Sequence, residues 1–306
     1  MFAVTRLLAG IDGGQSSTIA VIGDESGSIL GRGVSGPADE IGVTAESSRL
    51  RDALSFALED ASRRARLPSG SRFEAIVAGV SGYNGRVYGR SPQLPGERFL
   101  LLHDAPVAHA AALGGKPGVV IIAGTGSVVY TPDAAGAPLT LGGWGFLFGD
   151  EGSAFRIACD ALAMLMRAQD DADASFSEET RAAIEFFGTE SLRQIGRAFY
   201  RGELARDRLA AFAQVALRFE AFRPIAERGA DRLAALAVNA IRAGAAARVG
   251  LSGGVMRDKR FRERIADAIA TAMPGTEIAA ERYEPAAGAL LLAYRELGLR
   301  VEELRE

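Results

Sequence analysis

Cysteine and histidine are nearly absent from this chain of 306 residues, which contains one cysteine and two histidines. A single cysteine, Cys159, excludes a disulfide within the chain and any zinc site built from several thiolates. It falls on an apolar helical face, where we expect an unreactive core thiol. His103 and His109 do not have the spacing of one helical face, so we interpret both as structural rather than as ligands.

A strong net charge and long apolar runs are missing as well. No apolar run approaches the roughly 20 residues that a membrane-spanning helix needs. The formal net charge is −3, with acidic and basic residues interspersed, so nothing indicates nucleic acid or an anionic membrane as a partner. The first residues lead directly into a glycine loop that a secretory signal would lose on cleavage, so we expect a cytoplasmic protein. The hydrophobic content of 48% can fill the cores of two domains.

Glycine is abundant, and much of it lies in loops between apolar strands. The strand Gly118–Ala123 is followed by the loop Gly124-Thr125-Gly126-Ser127 and by a second strand, Val128–Thr131. Such a turn can present backbone N–H groups and hydroxyls to a phosphate, although a lone loop of this kind is more often a plain hairpin. Further along, Gly142-Gly143-Trp144-Gly145 lets the backbone approach a ligand, and Trp144 offers a flat face.

A second loop of the same kind lies near the start of the chain. A strand that begins at Leu7 ends in Asp12, and the turn Gly13-Gly14-Gln15-Ser16-Ser17-Thr18 follows it. An acid directly before a phosphate loop is well placed to bind Mg²⁺, so we interpret Asp12 as the metal ligand. Another apolar strand, Val249–Ser252, runs into the pair Gly253-Gly254.

Together the three loops resemble the two phosphate loops and the adenosine loop of the sugar kinase, Hsp70 and actin superfamily. Within it, GGWGFLFGDEGSA (142–154) is similar to the N-acetylglucosamine kinase branch of the BadF/BadG/BcrA/BcrD ATPase family. The resemblance implies an α/β, two-domain actin-like ATPase (ribonuclease H-like) fold. Each domain would be a mixed sheet with flanking helices, with the active-site cleft between the domains. We expect an N-terminal domain at 1–116, completed by a C-terminal helix at 285–306, and a C-terminal domain with a helical insertion at 117–284.

The same resemblance implies a carbohydrate kinase that uses ATP and Mg²⁺ to phosphorylate the 6-hydroxyl of N-acetylglucosamine or a related amino sugar. Asp104 follows a strand and starts a helix. Alone it would be interpreted as an N-cap, but the family places its catalytic base there. The implied sugar-binding residues are Asp39, Ser81, Asp104, Thr125, Gly143, Trp144 and Asp150. The implied nucleotide-binding residues are Gly13, Gly14, Gln15, Ser16, Ser17, Thr18, Gly124, Thr125, Gly126, Ser127, Gly253 and Gly254. The relatives are often dimers, so we expect a homodimer.

Three positions depart from the family pattern. Ser17 stands where many relatives have Lys or Arg, so the first loop lacks a cationic contact to phosphate. Val128 replaces an Asn that contacts the sugar. Asp39 replaces another sugar-binding Asn; taken alone it is an ordinary surface aspartate. As a site residue it would favour an amino sugar with a free ammonium group, or accept two hydroxyls.

Other functions are compatible with the loops. Some relatives are ATPases that activate a dehydratase through an iron–sulfur cluster, but these need cluster cysteines, which Cys159 alone does not supply. A DNA-binding sugar regulator would need a further module, and the first strand begins within the first few residues. A non-catalytic sugar or nucleotide sensor is left open, although Asp12, Asp104 and both loops favour an enzyme.

Hydrophobic periodicity predicts the remaining elements. The predicted strands are Arg6–Ile11, Thr18–Ile22, Ile29–Ser35, Phe73–Val80, Arg98–Leu102 and Thr276–Ala279. The predicted helices are Thr44–Arg66, Phe261–Met273 and the C-terminal helix that begins at Pro285.

Overall fold

The computed structural model describes residues 6–39, 43–133, 135–280, 282–301 and 303–305. These residues form two compact units. The first consists of the chain up to Pro117 and from Ala279 onward, and the second consists of Gly118–Ile278. In the part of the chain that is described, no helix is both long enough and apolar enough to pass through a membrane.

The first unit is built around one five-stranded sheet. Its strands are β1 (Leu7–Gly13), β2 (Thr18–Asp24), β3 (Ile29–Ser35), β4 (Phe73–Val80) and β5 (Gly96–His103), and its helices are α1 (Arg49–Arg64), α2 (Asp104–Leu113) and α10 (Pro285–Glu296). The strand order is β3-β2-β1-β4-β5. The first three strands are antiparallel, whereas β4 and β5 run parallel to β1. The carboxyl ends of β1, β4 and β5 therefore lie at the same edge of the sheet.

Helices cover both faces of this sheet. Apolar residues of α1, such as Leu54 and Leu58, pack with Ile76 and other residues on one face. On the other face α10 lies directly on β1, because Gly10 has no side chain: a Cβ there would collide with backbone atoms of Ala286 and Leu290. The C-terminal helix is thereby part of the first unit's core.

The second unit repeats this sheet topology and adds helices. Its strands are β6 (Val119–Ala123), β7 (Ser127–Pro132), β8 (Pro138–Gly142), β9 (Arg248–Ser252) and β10 (Glu277–Ile278). Its helices are α3 (Ala154–Asp170), α4 (Ser177–Phe187), α5 (Leu192–Tyr200), α6 (Arg206–Ala211), α7 (Ala213–Ala216), α8 (Arg223–Arg242) and α9 (Lys259–Ala272). The order β10-β9-β6-β7-β8 matches the first sheet, with β6 in the place of β1. The repeat lies in topology and loops rather than in sequence.

The second unit has two apolar cores. Residues of α8 and α9, among them Leu233 and Ile265, pack with Ile121 of β6. The helices α3–α7 form a separate cluster around Leu165 and Phe212, within the segment for which a helical insertion is predicted.

The predicted strands Ile29–Ser35 and Phe73–Val80 are confirmed, but two helix boundaries are wrong by five residues or more. The first helix begins at Arg49 rather than Thr44, since residues 44–47 form a turn closed by the Ser47 N–H on the Thr44 carbonyl. The last helix ends at Glu296 rather than at 306, because Gly298 takes a φ of +69° and the Leu299 N–H bonds back to Tyr294.

Candidate functional site

In the first unit, the predicted residues gather where the parallel strands end. Asp12 and Gly13 end β1, Ser81 follows β4 and Asp104 follows β5. The Ser81 N–H donates to the Gly13 carbonyl over 2.9 Å, which ties the end of β4 to the first glycine loop. Residues that are far apart in sequence are therefore neighbours at one edge of the sheet.

The first loop has an internal frame and an exposed side. The Gly14 N–H donates to the Ser17 carbonyl, and the fully buried Thr18 donates its hydroxyl to the Gly36 carbonyl over 2.7 Å. Thr18 therefore shapes the loop from inside. Ser16 and Ser17 are exposed, and their hydroxyls have no partner among the described residues. With Gln15, they are the loop's accessible polar side chains.

Asp39 is brought to this loop by a backbone contact. The Ala38 N–H donates to the Gly14 carbonyl over 3.0 Å, so the turn that carries Asp39 lies against the loop. The interpretation of Asp39 as a surface aspartate is wrong, because only 7% of it is exposed. Its Oδ1 lies 3.2 Å from Nη1 of Arg49 on α1, a partner that the sequence analysis missed.

Asp12 lies in a concentration of negative charge. Burial, followed by the nearby carboxylates of Asp104 and Glu284, raises the pKa of Asp12 to about 7. Within the described residues Asp12 has no ion-pair partner, whereas Glu284 is paired with Arg32 at 2.9 Å. Glu284, just before α10, was not foreseen as a neighbour of the site. A partly buried carboxylate without a counter-charge is suited to a divalent cation.

The residues around Asp12 fit Mg²⁺ better than a metal ion that is surrounded by protein side chains. Among the described residues no group of three or more His, Cys, Asp or Glu side chains is arranged to hold an ion. Mg²⁺ is typically bound through one or two carboxylates, with waters and substrate phosphates completing its shell. Asp12 beside the first glycine loop is compatible with that mode.

Asp104 is paired with the preceding histidine. The N-cap of α2 is His103, not Asp104: its Nδ1 accepts from the Ala105 N–H over 3.2 Å. The same Nδ1 lies 2.8 Å from Oδ1 of Asp104, and this hydrogen bond raises the pKa of His103 although burial opposes it. The Asp104 side chain is 33% exposed and can be reached by a ligand.

In the second unit, the second and third glycine loops touch. Gly253 has a φ of +101°, and a Cβ there would collide with the Ala123 carbonyl and approach the Gly124 nitrogen to 2.9 Å. Only glycine allows this contact. Next to it, Gly254 has open space where a side chain would be, as has Gly124. These three predicted nucleotide-binding residues thus share one surface.

Ser127 is committed to internal bonds. Its N–H donates to Oδ1 of Asp150 over 3.3 Å, and its hydroxyl donates to the Glu151 carbonyl over 2.8 Å. Ser127 therefore joins the second loop to Asp150, which is 4% exposed and has a left-handed φ of +60°. Thr125, by contrast, is partly exposed, and its hydroxyl has no hydrogen-bond partner among the described residues.

The loop 142–149 is held in place by hydrogen bonds from α3 and carries exposed apolar side chains. Arg156 of α3 donates to the carbonyls of Phe146 (2.9 Å) and Gly149 (3.4 Å). Gly143 rests on Val128, whose Cγ2 would lie 3.0 Å from an added Cβ. Trp144 is 76% exposed, so its ring is presented outward rather than packed in the core.

Arg206 is a further residue that the sequence analysis missed. Its Nη2 lies 3.2 Å from Oδ2 of Asp150, although the two residues are 56 positions apart. No local pattern signals the pairing, since Arg206 starts a short helix within the helical insertion. Cys159 on α3 is half-buried, and burial raises the pKa of its thiol to about 11, as expected for an unreactive thiol.

Comparisons with known proteins identify relatives. A model of the BadF/BadG/BcrA/BcrD ATPase family matches residues 9–293. The chain is 26% identical over 118 residues to an N-acetylmuramic acid/N-acetylglucosamine kinase of Clostridium acetobutylicum, covering 39% of this chain and 38% of that protein. It is 28% identical over 177 residues to an N-acetyl-D-glucosamine kinase of Dictyostelium discoideum, covering 54% and 56%. The matches span well under two thirds of these two relatives.

One solved structure resembles the chain over nearly its whole length. A Chromobacterium violaceum protein proposed to be an N-acetylglucosamine kinase superposes with a TM-score of 0.77 at 25% identity, covering 94% of this chain and 99% of that one. With the two mixed sheets and their flanking helices, this confirms the predicted actin-like fold class.

Proposed function

Because the chain belongs to the BadF/BadG/BcrA/BcrD ATPase family, we propose that it is an ATP-dependent sugar kinase acting on the 6-hydroxyl of N-acetylglucosamine or a related amino sugar. The names of both curated relatives support this substrate class. The observation that carries the proposal is the position of Asp104, a reachable carboxylate at the sheet edge where the first glycine loop also begins.

Asp104 is the catalytic base of this proposal. It accepts a hydrogen bond from the acceptor hydroxyl and takes its proton as the hydroxyl oxygen bonds to the γ-phosphorus. The bond between that phosphorus and the oxygen bridging to the β-phosphate breaks, and ADP leaves. Phosphoryl transfer depends on alignment and charge stabilisation more than on a strong base, so an ionised carboxylate is sufficient.

The glycine loops are the phosphate-binding elements of the proposal. Exposed Ser16 and Ser17 and partly exposed Thr125 supply hydroxyl donors, and Gly254 leaves room for the nucleoside. Asp12 would hold Mg²⁺, which when bound offsets phosphate charge. Buried Thr18 and Ser127 support the shape of the loops, because their hydroxyls donate to the backbone carbonyls of Gly36 and Glu151.

The surroundings of Asp39 support a neutral sugar. An unpaired buried carboxylate would favour the ammonium of glucosamine, but Arg49 balances the charge of Asp39. Asp39 then serves as an acceptor for sugar hydroxyls, each neutral hydrogen bond contributing about 1 kcal/mol. Val128 supports Gly143 from below and offers no hydrogen bond in place of the missing Asn.

The function is tested by ADP release, coupled to an optical readout, with Mg-ATP. The panel consists of N-acetylglucosamine, N-acetylmannosamine, glucosamine, glucose and no sugar. We expect turnover that depends on an N-acetylated amino sugar, no phosphorylation of its 6-deoxy analogue, and loss of turnover in a folded Asp104→Asn variant. Sugar-independent hydrolysis would instead identify an ATPase without a sugar acceptor. Sugar binding with no turnover would identify a sensor.

A further inference from the structure

An arginine of the helical insertion, Arg206, forms an ion pair with Asp150, a predicted sugar-binding residue. Arg206 opens α6, and its Nη2 lies 3.2 Å from Oδ2 of Asp150. A Cβ added to Gly126 would lie 3.0 Å from Oδ2 of Asp150 and 3.3 Å from Nη2 of Arg206. The pair therefore sits directly on the second glycine loop.

Aromatic rings hold the guanidinium in this position. Its central carbon lies 5.0 Å from the ring centre of Phe146 and 5.5 Å from that of Phe155, and these two rings contact each other edge to face. Phe146 belongs to the loop that carries Trp144, and Phe155 belongs to α3. Nε of Arg206 is buried without a hydrogen-bond partner in the described structure. Such an unmet donor is unfavourable, so the contact with Asp150 has to outweigh it.

The two oxygens of Asp150 have separate partners. Oδ1 accepts from the Ser127 N–H, whereas Oδ2 faces Arg206. Of the other charged groups that act on this carboxylate, Arg156 favours its ionised form and Glu151 opposes it. Burial is the largest influence and raises the pKa of Asp150, while the Ser127 N–H and the two arginines counteract it.

We propose that Arg206 is a positioning residue that balances the charge of Asp150 and fixes it as an acceptor for sugar hydroxyls. This inference rests on the proposed function only through the identity of the ligand. The helical insertion would then contribute to sugar recognition, because Arg206 of α6 supplies the positive charge next to the buried carboxylate of Asp150. Without Arg206, burial would favour the protonated form of the Asp150 carboxyl, which accepts hydrogen bonds from the sugar more weakly, and Oδ2 would lose the contact that fixes it.

The decisive variants are Arg206→Met, which removes the cation, and Arg206→Lys, which keeps a charge. Arg208→Met is the matched control, since Arg208 lies on the same helix but stacks on Phe186, 4.0 Å from its ring centre. In Arg206→Met we expect the KM for the sugar to rise at least tenfold at the lowest pH at which wild type is active, with smaller changes in kcat and in the KM for ATP. The ratio of variant to wild-type KM should shrink as the pH rises, because a higher pH favours ionised Asp150 without help from Arg206. Arg206→Lys should restore most of the loss.

A merely structural role would raise the KM equally at every pH, and that result would overturn the proposal. So would an equal effect of Arg208→Met. The double variant Asp150→Asn/Arg206→Met should be no worse than Asp150→Asn alone, because Arg206 acts through Asp150. An additional loss in the double variant would contradict the proposal.

A measurement without any sugar separates this inference from the proposed function. The Asp150 carboxyl carbon is followed by NMR during a pH titration of aspartate-labelled protein, with the signal assigned by its absence in Asp150→Asn. We expect its pKa to rise in Arg206→Met and to change little in Arg206→Lys and Arg208→Met. If no sugar is phosphorylated but the pKa rises, the proposed function fails and the positioning role stands. An unchanged pKa overturns the role even in an active kinase.

Discussion

The Nδ1 atom of His103 lies 2.8 Å from Oδ1 of Asp104 and 3.2 Å from the backbone nitrogen of Ala105. A single nitrogen cannot serve both partners in one protonation state. When Nδ1 carries a proton it donates to Asp104, and when it has none it accepts from Ala105. The helix cap and the proposed catalytic base therefore compete for one atom.

This competition predicts a pH dependence of turnover. The hydrogen bond to Asp104 raises the pKa of His103, so the imidazolium persists to higher pH and occupies Oδ1, one of the two Asp104 oxygens that can accept the sugar hydroxyl. As the pH rises through the pKa of His103, the proton leaves and Asp104 is released. We expect kcat to increase over that interval in wild type, and His103→Asn to be more active than wild type at low pH.

Asn keeps an oxygen that can cap α2 but does not titrate, which separates the two roles of His103. His103→Ala should also lose the acid-side inhibition, with a loss of about 0.5–2 kcal/mol in the free energy of unfolding because the cap is gone. Any titration of Asp12 is common to wild type and both variants, so each profile is compared with wild type as a ratio. Identical kcat–pH profiles for wild type and His103→Asn would refute the competition.

Because of Asp12, we expect the free energy of unfolding to depend on both pH and bound metal. The pKa of Asp12 is about 7 in the folded chain, against an ordinary value of 3.8. Between pH 3.8 and pH 7 the folded state therefore binds more protons than the unfolded state. Without metal, stability should fall as the pH rises through this range. Asp12→Asn should be more stable than wild type at pH 8, by about 2–4 kcal/mol. Urea unfolding at pH 5 and pH 8 measures the difference.

Mg²⁺ should reverse this penalty in wild type. We expect added Mg²⁺ to raise the Tm of wild type at pH 8 and to leave that of Asp12→Asn unchanged. Asp60→Asn is a control of opposite sign, because hydrogen bonds from the Val34 N–H and Arg63 lower the pKa of Asp60. That variant should lose stability at pH 8 and keep the response to Mg²⁺. Equal protection of wild type and Asp12→Asn would remove Asp12 from the metal site.

Local patterns in the sequence predicted the sheets well and the ion pairs not at all. The run Phe73–Val80 is apolar except for Glu74, and it forms a strand with these bounds. Glycine loops were visible because positive φ and close approach restrict the choice of residue, as at Gly253. Arg49 and Arg206 gave no such signal, since an arginine on a helix surface looks the same whether it faces solvent or a carboxylate from another element.

The hydroxyls of the loops could not be sorted by sequence either. Thr18 and Ser127 are hydroxyl residues in glycine loops, as expected of residues that bind phosphate. Both are buried, however, and their hydroxyls donate to backbone carbonyls. Whether a loop residue points inward depends on which carbonyl lies beneath it, and that is set by the packing of neighbouring strands. Tertiary structure, rather than local preference, decided these positions.

The pair of Asp39 and Arg49 predicts a preference between sugars. With Arg49 in place, we expect wild type to favour N-acetylglucosamine over glucosamine. Arg49→Met leaves Asp39 buried without a counter-charge, so the variant should shift toward glucosamine, whose ammonium can replace the lost guanidinium. A gain of about 1.4 kcal/mol would change the ratio of kcat/KM values tenfold.

Arg51→Met is the matched control for this shift, because Arg51 lies on the same helix and pairs with Asp52 instead. It should leave the ratio as in wild type. A parallel fall in kcat/KM for both sugars in Arg49→Met would mean that Arg49 supports the fold of the turn without tuning its charge.

Trp144 provides a direct optical test of sugar binding, because it is the chain's single tryptophan. Its side chain is 76% exposed, whereas the loop below it is fixed by the bonds from Arg156 to the carbonyls of Phe146 and Gly149. A sugar that packs on the ring should exclude water without moving the loop. We expect a saturable blue shift of tryptophan emission on addition of N-acetylglucosamine without ATP. Phe148→Ala should retain the shift, since Phe148 is 86% exposed on the same loop and has no proposed sugar contact. Unchanged emission at sugar concentrations that saturate turnover would exclude Trp144 from the sugar pocket.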